Sequence, residues 1–243
     1  MAVVLVIQHG PVQTPGRIGR VLRDHGFTLD VRRPDLDAAA LPPDLDEYHA
    51  VVSLGGPQNV GDNPAWMTRE LDLLREGVDR DLAVIGVCLG HQLLAKALGG
   101  SVEPMEAPEI GYHTVQAQFP GYTETLLTGV PWAPTVFSSH GWHVTKAPAG
   151  AQVLQTSGAS PVQAMRVGMR SIGFSYHLEA DAALARAIAE QASDLRDRAG
   201  VSLEDIDRQA EAGAPAFERM AQRICVNLAT LAFPHAELMG RLV

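Results

Sequence analysis

The sequence contains few cysteines and fewer basic than acidic residues. Cys88 and Cys225 are the only cysteines in 243 residues. Two are too few for a disulfide framework, which favours a reducing cytoplasm. The 19 Lys and Arg against 28 Asp and Glu give a formal net charge of -9, and no basic run concentrates the cations. This balance argues against nonspecific nucleic-acid binding, which needs a positive field.

Long apolar runs and leader-like segments are also missing. No run approaches the roughly 20 apolar residues that cross a bilayer. The first residues lack the basic region of a signal peptide. No Cys and His spacing typical of a zinc site occurs. We therefore expect a cytoplasmic protein without a nucleic-acid partner, a membrane partner, a metal or another cofactor.

The composition is that of a globular protein, with 46% hydrophobic and 19% charged residues, and the length favours one core. Short apolar segments alternate with helical patterns in the first hundred residues. The predicted strands cover 2–8, 27–33, 49–56 and 82–87, and helices are predicted over 18–26 and near 64–76. Strands separated by helices predict an α/β fold with a mostly parallel central sheet and flanking helices.

The pattern changes twice after this region. Short strand-like pieces rich in glycine and proline fill 101–178 and predict an antiparallel or mixed elaboration of the same domain. Beyond Glu179 the chain becomes alanine-rich, and three helices are expected. The first carries an apolar stripe, the second begins at a Ser202–Asp205 cap, and the third carries another stripe. The two stripes are Leu184, Ile188, Ala192 and Leu195, and Phe217, Met220, Ile224, Leu228 and Leu231. We expect a domain over 1–180 and a helical extension over 181–243 packed on it.

A cysteine lies at the junction between the fourth strand and its helix. Gly86 and Gly90 flank Cys88 at two residues on either side, as in a sharp strand-to-helix turn that exposes a nucleophile. A helix N-terminus stabilises a thiolate and offers backbone N–H groups to an oxyanion. Cys225 lies beside an apolar helical stripe and is expected to pack there.

The segment GVCLGHQ (86–92) resembles the nucleophile motif of class I glutamine amidotransferases. The resemblance implies a flavodoxin-like fold in which Cys88 attacks the side-chain amide of glutamine. A second segment, VVSLGGPQNV (51–60), resembles the oxyanion strand of that family. By this likeness Gly56 and Leu89 donate the two oxyanion N–H groups. His91 has a structural role in the family, although it lies one helical turn from the nucleophile.

A third segment, GFSYHLE (173–179), resembles the family's GxQFHPE motif. It implies His177 as the base and Glu179 as the carboxylate that orients it. Two positions depart from the motif, because Ser175 replaces the usual glutamine and Leu178 the usual proline. The lost proline leaves the geometry of the His–Glu pair less rigid.

The segment VFSSHGWHV (136–144) resembles the family's glutamine-binding loop. The resemblance implies that Ser139, Gly141 and Trp142 hold the substrate together with the side chain of Gln92. The EIG segment that contains Glu109 is similar to one near the site of standalone, GMP-synthase-like members. A place for Glu109 in the substrate pocket and a place as an exposed loop carboxylate both stay open.

The motifs together predict a cysteine-dependent glutamine amidohydrolase that forms a cysteinyl thioester and releases ammonia. Residues after 180 contain no nucleotide-binding motif, so we expect the ammonia acceptor to be a separate synthetase subunit. One alternative is a γ-glutamyl hydrolase or peptidase that acts on γ-glutamyl amines by the same chemistry. The other is a non-catalytic regulatory subunit that retains the fold.

Overall fold

Strands and helices alternate at the start of the chain, as the apolar segments predict. A computed structural model describes residues 2–233. The first seven elements are β1 (Val3–Ile7), α1 (Gly16–Asp24), β2 (Thr28–Arg32), β3 (Ala50–Ser53), α2 (Met67–Asp79), β4 (Ala83–Val87) and α3 (Leu89–Ala97). Short 3-10 turns at Ala38–Ala40 and Val60–Asp62 interrupt the connections.

Mostly short strands follow, and then helices. They are β5 (Ser101–Thr114), β6 (Gln116–Ala117), α4 (Phe119–Tyr122), β7 (Thr135–Lys146), β8 (Gln152–Thr156), β9 (Ala164–Val167), β10 (Ser171–Phe174), α5 (Ala182–Gln191), α6 (Ser193–Ala199) and α7 (Leu203–Asn227). A 3-10 turn forms at Thr125–Leu127 and a π-helical turn at Leu228–Ala232.

The central sheet has eight strands in the order β2-β1-β3-β4-β10-β9-β8-β6. The strands from β2 to β10 in that order run parallel, and the pairs beyond β10 are antiparallel. β5 and β7 form a separate two-stranded antiparallel sheet. The predicted fold class, a mostly parallel sheet with flanking helices and an antiparallel elaboration, is confirmed.

Apolar residues cover both faces of the parallel strands. In β1, Val4 and Val6 belong to one buried cluster, whereas Leu5 and Ile7 belong to the other. Side chains alternate between the two faces of a strand, so each face of the sheet has its own packed layer of helices. Among residues 2–233, no helix has both the length and the apolar character that crossing a membrane requires.

The C-terminal helices differ from the prediction in two ways. The first predicted stripe spans two helices, since the chain leaves helical geometry at Ala192, whose ψ is 47°. The second and third predicted helices are one 25-residue helix, α7, which begins at the Ser202–Asp205 capping box and continues through Pro215. Buried residues before and after the proline pack on the same core, so tertiary contacts outweigh the local helix-breaking tendency.

The last turn also corrects the predicted stripe. Phe217, Met220, Ile224 and Leu228 are buried, but Leu231 is 52% exposed. Leu231 lies in the π-helical turn, where the amide of Phe233 donates to Leu228. This wider turn rotates Leu231 off the apolar face. The predicted extension reaches 243, and its residues 234–243 lie outside the described part of the chain.

Candidate active site

The turn between β4 and α3 holds Cys88 in a constrained backbone conformation. Its φ is 51°, which non-glycine residues seldom adopt. A Cβ on Gly86 would lie 2.5 Å from the carbonyl oxygen of Gly90, and one on Gly90 would lie 2.1 Å from that of Ser53. Only glycine fits these two positions, because any side chain would collide with backbone. Cys88 as a whole is 5% exposed.

Strand β10 brings the predicted histidine to the cysteine. β10 lies parallel to β4, and the Cys88 amide donates to the carbonyl of Phe174 at 2.8 Å. His177 follows three residues later. A Cβ on Gly55 would lie 2.9 Å from His177 Cε1 and 3.5 Å from Cys88 Cβ. The imidazole and the cysteine therefore flank the same glycine.

The carboxylate of Glu179 lies against the inner side of the imidazole. His177 Nδ1 is 2.7 Å from Glu179 Oε1, and both side chains are buried. Burial by itself would lower the pKa of His177, but the charges of Glu179 and Cys88 raise it well above its ordinary value. His177 Nε2 forms no hydrogen bond of ordinary geometry within residues 2–233, and Cys88 Sγ is directed to the Ser139 carbonyl at 3.6 Å.

A buried arginine holds the segment that carries His177 and Glu179. Arg17 Nη1 donates to the carbonyls of Leu178 at 2.9 Å and Ala180 at 2.6 Å. The Arg17 amide donates to the carbonyl of Glu179 at 2.8 Å. These bonds fix three successive residues next to His177. Charged donors therefore supply the rigidity that a proline at position 178 would otherwise contribute.

A cavity of about 370 Å³ opens on Cys88 and His177. The predicted oxyanion donors both line it. Leu89 is the first residue of α3, where a backbone N–H has no intrahelical acceptor. The other predicted substrate residues in its lining are Gln92, Ser139, Gly141 and Trp142. Gln92 Nε2 donates to the Trp142 carbonyl at 2.9 Å, which ties α3 to the predicted glutamine loop.

Glu109 lies outside the lining of this cavity. Its carboxylate accepts hydrogen bonds from Ser157 and Gln163 and lies 3.3 Å from Nε2 of the buried His140. Burial alone would raise the pKa of Glu109, but the hydrogen bond and charge of His140 lower it to about 2. His140 lines the cavity and lies between it and Glu109.

The remaining site candidates face elsewhere. His91 Nε2 lies 3.2 Å from the carbonyl of Val162, and burial lowers the pKa of this imidazole to about 3. Cys225 lies within α7 on its buried face, where burial raises the pKa of its thiol to about 12. Among residues 2–233, no group of three or more His, Cys, Asp and Glu side chains is arranged to hold a metal ion.

The chain matches a known protein family over most of its length. The family model described as "Glutamine amidotransferase class-I" matches residues 13–189, which is more than half of the chain. This protein belongs to the class I glutamine amidotransferase family.

Relatives within and near this family differ in how much of the chain they share. One of them, which forms part of the glutamine-hydrolysing GMP synthase of Sulfolobus acidocaldarius, is 35% identical over 166 residues, covering 64% of this chain and 83% of that protein. A glutamine amidotransferase-like protein of Salmonella typhimurium is 28% identical over 239 residues, covering 95% and 98%. The crystal structure of a glutamine amidotransferase from Methylobacillus flagellatus has a TM-score of 0.80 at 27% identity, covering 94% of each chain.

One wall of this amidotransferase's cavity lies beyond the part that the family model matches. The end of α5 and the start of α6 contribute Gln191, Ser193, Asp194, Leu195 and Arg198 to the lining. Gln13, from the loop after β1, also lines it and donates to Gln191 Oε1 at 2.6 Å. Sequence reasoning missed these residues. They belong to no short motif, and only packing of the extension brings them to Cys88.

Proposed function

We propose that this chain hydrolyses the side-chain amide of glutamine to glutamate and ammonia, with Cys88 as nucleophile, His177 as base and Glu179 as its orienting partner. The observation that carries the proposal is the position of Cys88. It lies on a turn that only flanking glycines permit, beside an imidazole whose other nitrogen binds a buried carboxylate at 2.7 Å. Family membership supports glutamine as the substrate.

The proposed reaction needs no group besides the chain, glutamine and water. Cys88 Sγ attacks the amide carbon while His177 Nε2 accepts the thiol proton. The oxyanion accepts hydrogen bonds from the Gly56 and Leu89 amides, each contributing about 3 kcal/mol. His177 returns the proton to the departing ammonia and leaves a γ-glutamyl thioester. Water, deprotonated by His177, then attacks the thioester carbon, and Cys88 leaves as glutamate forms.

The substrate groups are assigned to the cavity lining. Gln92, Ser139, Gly141 and Trp142 would hold the glutamyl part of the substrate. Glu109 would act through His140, since its carboxylate reaches that ring and not the cavity. We also propose that residues 1–180 form the amidotransferase domain and that the segment from 181 is an extension packed on it. A reducing cytoplasm would keep the Cys88 thiol free.

The released ammonia would pass to an acceptor on a separate synthetase subunit. Support comes from the Sulfolobus relative, whose name makes it one of the subunits of a GMP synthase. The chain spans 32% of the length of the Aeropyrum pernix GMP synthase that it also resembles. The specific alternative, a γ-glutamyl hydrolase, uses the same triad and needs no acceptor.

The deciding experiment compares the two cysteines. We expect Cys88→Ala to abolish ammonia release from glutamine and labelling by a glutamine-analogue diazo-ketone, with an unchanged thermal midpoint. The matched control, Cys225→Ala, should retain both activities within a few-fold. A folded Cys88→Ala variant that turns over normally would refute the assignment. Absence of both release and labelling in the parent chain would favour the non-catalytic alternative.

Kinetics of the isolated chain separates amidotransferase from hydrolase. An amidotransferase gated by its acceptor is expected to be slow by itself, because partner binding completes the site. A kcat/KM above about 10⁴ M⁻¹s⁻¹ without a partner, within the ordinary enzyme range, would exclude gating. If that rate were reached only with a γ-glutamyl amine, the hydrolase alternative would be correct.

A further inference from the structure

The α6 wall of the cavity carries one acidic and one basic side chain. Asp194 and Arg198 are four positions apart on α6, so both lie on the same side of the helix. In the described part of the chain they are the cavity's only Asp, Glu, Lys or Arg. The cavity wall therefore carries opposite charges on a segment that the family model does not match.

Arg198 is held at the predicted glutamine loop. A Cβ on Gly141 would lie 3.3 Å from Arg198 Nη1 and 2.8 Å from Leu195 Cδ2. The absent side chain at Gly141 thus lets α6 approach the loop closely. Arg198 Nη2 donates to the Met105 carbonyl at 3.2 Å. One nitrogen of the guanidinium anchors the group, and the others are free to bind a carboxylate.

Neither charge has an ionic partner in the described part of the chain. Within residues 2–233 no carboxylate lies within ion-pair distance of Arg198, and no cation lies within that distance of Asp194. Although they are one helical turn apart, they do not pair with each other. Two unpaired charges of opposite sign at one cavity match a ligand that carries both signs.

We propose that Arg198 binds the α-carboxylate and Asp194 the α-ammonium of the glutamyl substrate. This assignment rests on the proposed function of the Cys88 site and deepens it by naming the two side chains that would recognise the free amino-acid head group. Glutamine within a peptide chain, where neither charge exists, is excluded.

The test pairs variants with truncated substrates. Arg198→Ala should raise KM for L-glutamine about 10- to 100-fold, as expected for loss of a charged hydrogen bond, and change kcat little. It should change nothing with 4-aminobutanamide, which lacks the carboxylate. Asp194→Asn should likewise weaken glutamine binding but leave glutaramic acid, which lacks the ammonium group, unaffected.

Two surface variants serve as matched controls. Arg170→Ala and Asp197→Asn remove the same charges outside the cavity lining and should leave both constants unchanged. Equal constants for Arg198→Ala and Arg170→Ala would overturn the assignment. So would an equal loss with glutamine and 4-aminobutanamide, since that result indicates a structural effect on α6. If Arg198→Ala does not fold, two other measurements decide the question. One is the KM of Arg198→Lys for L-glutamine, and the other is the parent chain's preference for glutamine over 4-aminobutanamide.

Calorimetry separates this inference from the catalytic proposal. In the Cys88→Ala background, L-glutamine should bind, and adding Arg198→Ala should weaken binding by the same factor as the KM change. If the parent chain releases no ammonia while this Arg198-dependent binding persists, the catalytic proposal fails and the head-group assignment stands. If L-glutamine does not bind in that background, the assignment is wrong.

Discussion

Two buried His–carboxylate pairs within residues 2–233 have the same contact distance and different surroundings. His177 Nδ1 lies 2.7 Å from Glu179, and His9 Nε2 lies 2.7 Å from Glu70. In the first pair, His177 Nε2 and one Glu179 oxygen form no hydrogen bond within residues 2–233. In the second pair, every ring nitrogen and carboxylate oxygen has a partner.

The partners of the second pair all belong to the scaffold beneath the glycine turn. His9 Nδ1 lies 3.0 Å from the carbonyl of Leu54, and the ring stacks on Trp66 at a centroid distance of 4.9 Å. The other oxygen of Glu70 accepts from Ser53 at 2.6 Å. This saturated network supports the backbone that leads to Gly56.

The two pairs consist of the same residue types and differ in whether any polar atom is left without a hydrogen-bond partner. A buried polar atom without a partner costs stability, and one that also faces a cavity is open to a reactant. His177 Nε2 is such an atom beside the proposed nucleophile, Cys88, and a cavity. The saturated His9–Glu70 pair has no site left for a reactant. We therefore assign chemistry to the first pair and positioning to the second.

The largest difference between the two pairs is expected when each histidine is replaced, separately, by asparagine. His177→Asn should lower glutamine turnover by about 10⁴-fold or more, since the general base is lost. His9→Asn should lower the thermal midpoint and reduce turnover far less. Steady-state ammonia release and thermal unfolding of both variants check this. An inactive, well-folded His9→Asn beside an active His177→Asn would reverse the assignments.

A smaller loss of turnover is expected for Glu179→Gln. The amide keeps the shape but removes the charge that stabilises the imidazolium, and we expect a loss of about 10²- to 10⁴-fold. Because the charge of Glu179 raises the pKa of His177, the pKa that governs kcat/KM should also move down. Measuring the pH profile checks this, and an unchanged profile would contradict a direct His177–Glu179 coupling.

Glu70→Ala should reduce stability strongly and activity only weakly. It leaves His9 buried without its carboxylate, which costs about 3–5 kcal/mol, while turnover of the folded fraction should fall no more than about tenfold. Denaturant unfolding gives the first quantity, and activity well below the unfolding midpoint gives the second. The matched change at the surface, Glu190→Ala, should leave both quantities unchanged. A folded Glu70→Ala variant with activity as low as His177→Asn would place Glu70 in the chemistry.

The pH dependence of stability tests the same pair. Burial alone would lower the pKa of His9, but the charge and hydrogen bond of Glu70 and the carbonyls of Gly55 and Leu54 raise it. A base with a raised folded pKa stabilises the fold fully below its unfolded pKa, about 6.5, and less as pH rises through the folded pKa. The free energy of unfolding should thus fall above pH 6.5, and Glu70→Gln should reduce that slope. Equal slopes would contradict the coupling.

The smallest effect on turnover is expected at His91. This ring bonds the Val162 carbonyl and lies against Gly173, and it is not part of the cavity lining. His91→Asn should therefore change kcat by less than about tenfold. Ammonia release by the folded variant checks it, and a loss equal to that of His177→Asn would move the base to His91.

Local sequence patterns predicted most of the fold. Alternating apolar strands and helices over the first hundred residues were enough to predict the parallel sheet, and the Ser202–Asp205 cap marked the start of α7. The same local reasoning divided α7 into two helices and extended the apolar stripe to Leu231. It failed there because tertiary packing carries the helix through Pro215 and because the π-helical turn changes the side-chain phase.

The sequence by itself identified the candidate site residues through three motifs in order, namely a glycine turn, a cysteine on a strand-to-helix turn and a His-x-Glu segment. These depend on contacts within a few residues, which a sequence records directly. Tertiary structure alone decided how they meet and what surrounds them. Arg17 reaches a segment about 160 residues away, His9 pairs with Glu70, and α6 closes the cavity with Asp194 and Arg198. Such contacts depend on how whole elements pack, and no local pattern encodes that packing.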